Sequence, residues 1–226
     1  MRARSVIIAL IIIALPVGFM YRTLATGRPL ARDDASAMVY PIFHAMDAQL
    51  AEGRLYLWDA QQWCGLPALA GGETTALYPP TLALCALLPW MSALHASYWL
   101  HLALALAAVY WVARNFGASR GGALVAGAAY SFSGYQAAHL IHHGHIAALA
   151  HIPLVLAVLQ PGLARNRPRS WAPLPVEIAL AYLCSHPMLF VMAMTVALLW
   201  ALFGHDWRGS EGPAHARLVP LLLVLV

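Results

Sequence analysis

The sequence predicts an all-α membrane protein, a polytopic bundle of transmembrane helices with a long first extracytoplasmic loop. Three observations predict this class. Hydrophobic residues make up 62% of the 226 positions, the mean hydropathy is +0.68, and charged residues make up 10%, whereas a soluble domain carries about 25%. Long apolar segments dominate without a regular strand pattern, so the spans are expected to be helices rather than barrel strands.

The arginines predict the orientation of these spans. They cluster in short gaps between apolar segments, and basic gaps are retained in the cytoplasm. The net charge of +4 is explained by this topology, and no nucleic-acid partner is expected. The clustered arginines are Arg2 and Arg4, Arg114 and Arg120, Arg165, Arg167 and Arg169, and Arg208 and Arg217.

The first apolar run is expected to be an uncleaved span over residues 5–24, about the 20 residues that a bilayer needs. Arg2 and Arg4 precede it, which places the N-terminus in the cytoplasm. A signal peptide is the alternative, but no small-residue cleavage site follows the run. Residues 25–93 then form the outer loop.

The later apolar runs predict three more spans over about residues 94–113, 121–137 and 146–163. The run 77–90 is short for a span and is expected to form an interfacial or re-entrant helix. The sequence places no ionisable residue convincingly in the middle of a span, and it shows no repeated halves.

Residues 173–203 are too long for one ordinary span. We interpret them as two short helices, out and back, with His186-Pro187 at the outer tip; one long helix kinked at Pro187 is the alternative. The chain ends inside an apolar run at 218–226, so residues 1–226 are expected to be the N-terminal part of one longer membrane domain.

The three cysteines, Cys64, Cys85 and Cys184, are an odd number without metal-ligand spacing, so neither a disulfide framework nor a zinc site is expected. Cys85 and Cys184 lie in apolar runs and are predicted to be core residues.

An ordered series of motifs carries a resemblance to a known family. The motifs are Asp34 with Pro41 seven residues later, Gly53-Arg-Leu-Tyr-Leu-Trp58-Asp, Trp63-Cys-Gly65-Leu-Pro67, Ala76-Leu-Tyr78-Pro79-Pro80, Leu100-His101-Leu, Ser131-Phe-Ser133-Gly134-Tyr and His186-Pro187. Over about residues 30–190, this series resembles the N-terminal part of the YfhO-like bacterial membrane proteins, which are grouped with the GT-C glycosyltransferases.

The resemblance implies a GT-C-like helical enzyme of the bacterial cytoplasmic membrane. Such an enzyme takes sugar from a polyprenyl-phosphate donor in the membrane lipid and transfers it to a cell-envelope acceptor on the outer face. By position, Asp34 matches the acidic residue that acts as the base.

The chain departs from the family pattern at three places, which leaves the acceptor contacts open. Trp58-Asp59-Ala60 stands where Trp-Asn-Pro is expected, and residues 71–74 read Gly-Gly-Glu-Thr where Asn-Pro-Gln-Thr is expected. Met188 follows the His-Pro pair, where Gln is usual.

The acidic pair suits this chemistry. A carboxylate such as Asp34 can accept the proton of an acceptor hydroxyl, and a single displacement inverts the anomeric centre. Asp33 is either a neighbouring charge or a ligand for a divalent cation, Mg²⁺ or Mn²⁺. The alternative is that both residues cap a helix beginning near Ala35.

Cationic and aromatic residues of the outer loop are candidates for binding the donor. Arg32 and Arg54 suit its phosphate, or they pair with loop carboxylates at the surface. Trp58 and Tyr78 either stack on a sugar or lie in the aromatic belt of the membrane interface.

Four histidines lie within seven residues: His139, His142, His143 and His145. Together with His186 they are predicted on the outer face, beside the acidic pair. They either line a pocket for sugar or phosphate, hold zinc or haem, or are solvated at the interface. The alternative functions are therefore a transporter or flippase-like protein and a histidine-rich metal protein.

Overall fold

The computed structural model describes residues 2–27, 33–62, 64–68, 70, 72, 74–165, 168–184 and 186–203. These residues are mostly helical, as predicted. The helices are α1 (Arg2–Phe19), α2 (Tyr21–Thr26), α3 (Tyr40–Ala51), α4 (Pro79–Leu87), α5 (Trp90–Asn115), α6 (Arg120–Ser131), α7 (Gly134–Ala138), α8 (His143–Arg165), α9 (Pro168–Trp171), α10 (Pro173–Cys184) and α11 (Pro187–Phe203). A π-helical turn, Ala35–Val39, precedes α3, and a 3₁₀ turn, His139–Ile141, precedes α8.

Helix α5 is the centre of the fold. It packs against α8 and α6 along its length, and α1, α3 and α4 cover its other faces. One hydrophobic core, which includes Phe43, Met46 and Leu94, joins α3 to α5. A second core joins α8 to α10 and α11 through Leu159, Leu174 and similar residues.

Two of the described helices are long and apolar enough to cross a membrane, Trp90–Asn115 and His143–Ala164. They correspond to the spans predicted over 94–113 and 146–163. At about 1.5 Å per residue, the 26 residues of α5 extend over about 39 Å, which exceeds the roughly 30 Å of bilayer hydrocarbon. The predicted short helix after Tyr78 is also present, as α4.

The span predicted over 121–137 is wrong in its length. Helix α6 ends at Ser131 after 12 residues, or about 18 Å. Ser133 then adopts an extended backbone, and its side chain accepts a hydrogen bond from Gln136 N, which starts the separate helix α7. A serine that can cap a new helix competes with continuation of the old one.

Residues 173–203 form a hairpin of two helices. His186 lies at one end, where its ring is 5.7 Å from the ring of His145 at the start of α8. Trp200 lies at the other end, where its ring is 5.1 Å from that of Phe116, just after α5. Helices α5 and α8 run in the same direction, because Ser97 and His143, near the start of each, contact each other. Helix α11 begins beside the start of α8 and ends beside the end of α5, so it turns back from α10 rather than extending it.

A small antiparallel hairpin shapes the loop between α3 and α4. Strands β1 (Trp58–Asp59) and β2 (Leu66–Pro67) pair there, although no strand was expected from the sequence. Asp59 is buried and accepts a hydrogen bond of 2.6 Å from the Tyr56 hydroxyl. Burial raises the pKa of Asp59, but hydrogen bonds from Tyr56 and the loop backbone outweigh it and hold that pKa below its ordinary value.

Candidate functional site

The structure joins two predicted site residues from distant parts of the chain. Oδ2 of Asp34 lies 3.1 Å from Nε2 of His142, 108 positions away. Asp34 stands at the start of the π-helical turn, and His142 stands between the 3₁₀ turn and α8. Because an ionised carboxylate only accepts, the imidazole N–H is the donor.

Further histidines surround this pair. The ring of His145 lies 4.8 Å from that of His142 and 5.5 Å from that of His139, and His186 contacts His145 from the start of α11. We call Asp34, His139, His142, His145 and His186 the surface histidine cluster. The cluster brings together three segments that the sequence predicted to lie on one side of the membrane.

The side chain of Asp34 does not cap the helix that follows it. The π-helical turn has no side-chain capping bond, and its first amides, Ser36 N and Ala37 N, donate instead to the backbone oxygen of Asp33. Asp33 adopts a φ of +55°, a conformation that Asp tolerates better than most residues. The carboxylate of Asp34 is therefore directed to His142 rather than to the backbone.

A pocket opens beside this pair, and its polar wall includes Asp34, His142, His143 and His145. Its apolar wall includes Val39 and Ile42. His142 and His143 are neighbours in sequence but face different surroundings, because His142 has an extended backbone, where successive side chains point to opposite sides. His143 is buried, whereas His142 is partly exposed.

Behind the pocket, six side chains form a continuous hydrogen-bonded series through the interior. We call Glu177, His151, Tyr78, His101, Ser97 and His143 the buried polar chain. All six are at most 5% exposed. Successive contacts measure 2.6 Å from Glu177 Oε1 to His151 Nδ1, 2.9 Å from His151 Nε2 to Tyr78 Oη, 3.2 Å from Tyr78 Oη to His101 Nε2, 3.3 Å from His101 Nδ1 to Ser97 Oγ and 2.8 Å from Ser97 Oγ to His143 Nε2.

This series overturns the expectation that no ionisable residue lies in the middle of a span. His101 stands midway along α5, His151 lies two turns into α8, and Glu177 lies in α10. The sequence does contain weak signals for them. Ser97 and His101 are four residues apart, which is one helical turn, and Glu177 interrupts an otherwise apolar run.

The remaining predicted residues lie in several places. Tyr78 and His143 belong to the buried polar chain, not to the surface histidine cluster. Arg54 is exposed and pairs with Glu52, as the surface-pair alternative expected. Trp58 is exposed, and its ring lies against Gly65 so closely that a Cβ there would be 2.8 Å from it. Arg32 and Trp63 lie outside the described residues.

Cys85 and Cys184 are buried, as predicted, and Cys64 is exposed. Within the described part of the chain, no group of three or more His, Cys, Asp or Glu side chains is arranged to hold a metal ion.

Comparison with known proteins found no matching family model, no matching curated protein and no matching solved structure.

Proposed function

We propose that this chain is part of a membrane glycosyltransferase that uses a polyprenyl-phosphate-linked sugar on the extracytoplasmic face, with Asp34 as the general base. The observation that carries the proposal is the hydrogen bond between Asp34 and His142 at the wall of a pocket. This bond leaves one carboxylate oxygen, Oδ1, for the proton of an incoming hydroxyl group.

The chemistry needs one proton acceptor and one stabilised leaving group. As the acceptor oxygen bonds to the anomeric carbon, its proton passes to Asp34, and the bond between that carbon and the phosphate oxygen breaks. The electron pair leaves with the polyprenyl phosphate, and the configuration inverts. N–H donation from His142 holds the carboxylate in place.

The other members of the surface histidine cluster are suited to the donor. Imidazole rings can donate to phosphate oxygens or accept from sugar hydroxyls. His145 lines the pocket, and His139 and His186 contact His145. We assign Arg32 and Arg54 to the phosphate and Trp58 to the sugar as further candidates from the loop. Asp33 remains the candidate ligand for Mg²⁺ or Mn²⁺.

The membrane setting is supported by apolar surface on the outermost helices. Helix α1 exposes Val6, Ile7 and Leu10, and α11 exposes Val191 and Leu199 among other large apolar side chains. Exposed apolar area of this extent suits lipid better than water. We place the chain in the bacterial cytoplasmic membrane as one multi-span, GT-C-like domain, with its N-terminus in the cytoplasm.

The experiment is a transfer assay with the purified protein in lipid vesicles, a polyprenyl-phosphate sugar and an envelope acceptor. Asp34→Asn removes the base and is expected to lower the transfer rate about 10²- to 10⁴-fold. Asp33→Asn is the adjacent control, and it is expected to retain transfer in the absence of a metal requirement. Full transfer by both variants shows that the assigned base is wrong.

A second candidate, a proton-coupled transporter, is favoured by the buried contact between His151 and Glu177. Ionisable side chains inside membrane helices commonly mark ion and proton paths. The discriminating observation is vesicle acidification or alkalinisation on addition of a solute, without any transfer of sugar.

A further inference from the structure

Within the buried polar chain, the Tyr78 hydroxyl contacts the Nε2 atoms of two histidines, His101 and His151, and it has one hydrogen to donate. His101 Nδ1 lies 2.7 Å from the backbone oxygen of Ser97. A carbonyl oxygen only accepts, so Nδ1 of His101 carries a hydrogen. Neutral His101 therefore has a bare Nε2, which needs the hydroxyl hydrogen of Tyr78 as its donor.

His151, the second histidine that contacts Tyr78, places the same requirement on its hydroxyl hydrogen. If Glu177 is ionised and His151 is neutral, the hydrogen of His151 lies on Nδ1, where it donates to Glu177 Oε1. His151 Nε2 is then bare and also needs the hydroxyl hydrogen of Tyr78. A tyrosine hydroxyl has one hydrogen, so one of the two acceptors is left without a donor in the interior.

One additional proton removes this conflict. With that proton held between Glu177 and His151, Nε2 of His151 carries a hydrogen and donates to Tyr78 Oη. The Tyr78 hydroxyl is then free to donate to His101. The added proton also cancels the charge of a carboxylate that is 5% exposed, and an unpaired buried charge is costly.

The remaining hydrogen bonds of the buried polar chain have the same donor-to-acceptor direction. His101 Nδ1–H faces both the backbone oxygen and Oγ of Ser97, and the Ser97 hydroxyl is left to donate to His143 Nε2. From His151 Nε2 onward, every donor in the buried polar chain then points toward His143, which lines the pocket beside Asp34. Titratable groups near this path include Cys184, whose thiol donates to Ala181 O, and Tyr98, whose ring lies 5.4 Å from that of His143 and whose hydroxyl donates to Leu140 O.

We propose that the buried polar chain is a proton relay, which stores one proton at the Glu177–His151 pair and exchanges it with the pocket of the surface histidine cluster. When the proton leaves, His151 gives up the hydrogen on Nε2 and retains one on Nδ1, which leaves Glu177 ionised. Tyr78, His101 and Ser97 each pass on one hydrogen and receive another, and His143 releases one at the pocket. No bond between heavy atoms changes and no electron moves. The relay does not depend on which reaction the pocket performs. The hydrogens move from His151 Nε2 to Tyr78 Oη, from Tyr78 to His101 Nε2, from His101 Nδ1 to Ser97 Oγ, and from Ser97 to His143 Nε2.

The first test is the position of the hydrogens, measured by ¹⁵N NMR of ring-labelled histidines in the whole chain in lipid nanodiscs. The relay requires a hydrogen on His151 Nε2, whether Glu177 or His151 holds the added proton. It also requires His101 to carry its hydrogen on Nδ1. A neutral His151 with its hydrogen on Nδ1 alone overturns the proposal.

The second test is the rate at which ring hydrogens exchange with solvent. Ser97→Ala removes a link on the pocket side and is expected to slow exchange at both His101 and His151. Tyr78→Phe removes the link between the two rings and is expected to slow exchange at His151 alone. The expected slowing is roughly tenfold, because each gap leaves a proton without a hydrogen-bonded path.

Ser131→Ala is the matched control for these variants. Ser131 is also fully buried, and its hydroxyl has no hydrogen-bond partner among the described residues. This variant is expected to exchange at the wild-type rate. Wild-type exchange at both rings in Ser97→Ala, or at His151 in Tyr78→Phe, shows that protons do not follow this path.

Discussion

The carboxylate of Asp34 lies 3.1 Å from Nε2 of His142, across 108 residues of chain. The two residues come from separate apolar-flanked segments, and the packing of α3 and α8 around α5 brings them together. A carboxylate held by an imidazole at a pocket is a common arrangement for proton transfer.

The role assigned to His142 is to position Asp34, so its loss should affect turnover more than binding. His142→Ala is expected to lower kcat roughly tenfold with a smaller change in KM, since a misplaced base reacts more slowly. The measurement is steady-state transfer over a range of donor concentrations. His44→Ala, an exposed histidine on α3, is the control. A change in KM alone contradicts the positioning role.

The buried pair of His151 and Glu177 should be strongly coupled in stability. Replacing either residue by Leu leaves the other buried without its partner and is expected to cost about 3–5 kcal/mol of unfolding free energy. The double variant is expected to cost much less than the sum. A denaturant titration of all four proteins in detergent measures this coupling, and additive effects show that the pair does not interact.

The close crossing of α5 and α6 should depend on Gly127. A Cβ at this position would lie 2.7 Å from the backbone oxygen of Leu106, which cannot move as a side chain can. Gly127→Ala is therefore expected to destabilise the protein by about 1–3 kcal/mol. Gly121→Ala in the same helix meets no atom within 4 Å, and it should be neutral or stabilising by up to about 1 kcal/mol. Equal melting temperatures for the two variants contradict this packing.

The loop hairpin should lose stability in acid. The folded-state pKa of Asp59 is held below its ordinary value, so its contribution is present above the ordinary pKa and is lost as the pH falls through the folded pKa. Tyr56→Phe removes the hydrogen-bond donor to Asp59. Above the ordinary pKa of Asp59, it should lower the stability of the loop by about 1–3 kcal/mol, and it should make that stability depend less on pH.

Limited proteolysis of this loop between about pH 2 and 7, a range that extends below the ordinary Asp pKa of about 3.9, measures the effect. Tyr182→Phe, an exposed tyrosine on α10, is the control. An unchanged acid profile in Tyr56→Phe contradicts the assigned cause.

The hairpin of α10 and α11 should place its two ends on opposite sides of the membrane. Met188 and Phe203 are both exposed, so each can be replaced by Cys in a Cys64→Ser background. A membrane-impermeant maleimide added to intact cells is expected to label position 188 and not position 203. Labelling of position 203 from outside contradicts the proposed topology.

Much of the helical framework could be predicted because it depends on local patterns. The apolar runs predicted α5 and α8, and Pro187 predicted the break before α11, since proline disfavours a helical conformation in the residue before it. The end of α6 was missed because a single capping serine, Ser133, outweighs the apolar pattern that continues beyond it.

The positions of the candidate site residues could also be predicted only in part. The arginine pattern predicted that Asp34, His139, His142 and His186 lie on one side of the membrane, and the structure brings them into one cluster. Tyr78 was predicted to stack on a sugar or to lie in the aromatic belt, and His143 was predicted to lie with the other histidines, but both side chains are buried in the interior. The direction of the His143 side chain depends on the extended backbone at His142, and the burial of Tyr78 depends on its contacts with His101 and His151 on two other helices.

By itself, the sequence determined the helical class, two helices of membrane-spanning length and the buried cysteines, because these depend on hydropathy over a window of neighbouring residues. Only the tertiary structure decided that Asp34 meets His142, and that Glu177, His151, Tyr78 and His101 form one buried series. Such contacts depend on how separate helices cross and rotate against each other, and the hydropathy of a segment does not contain that information.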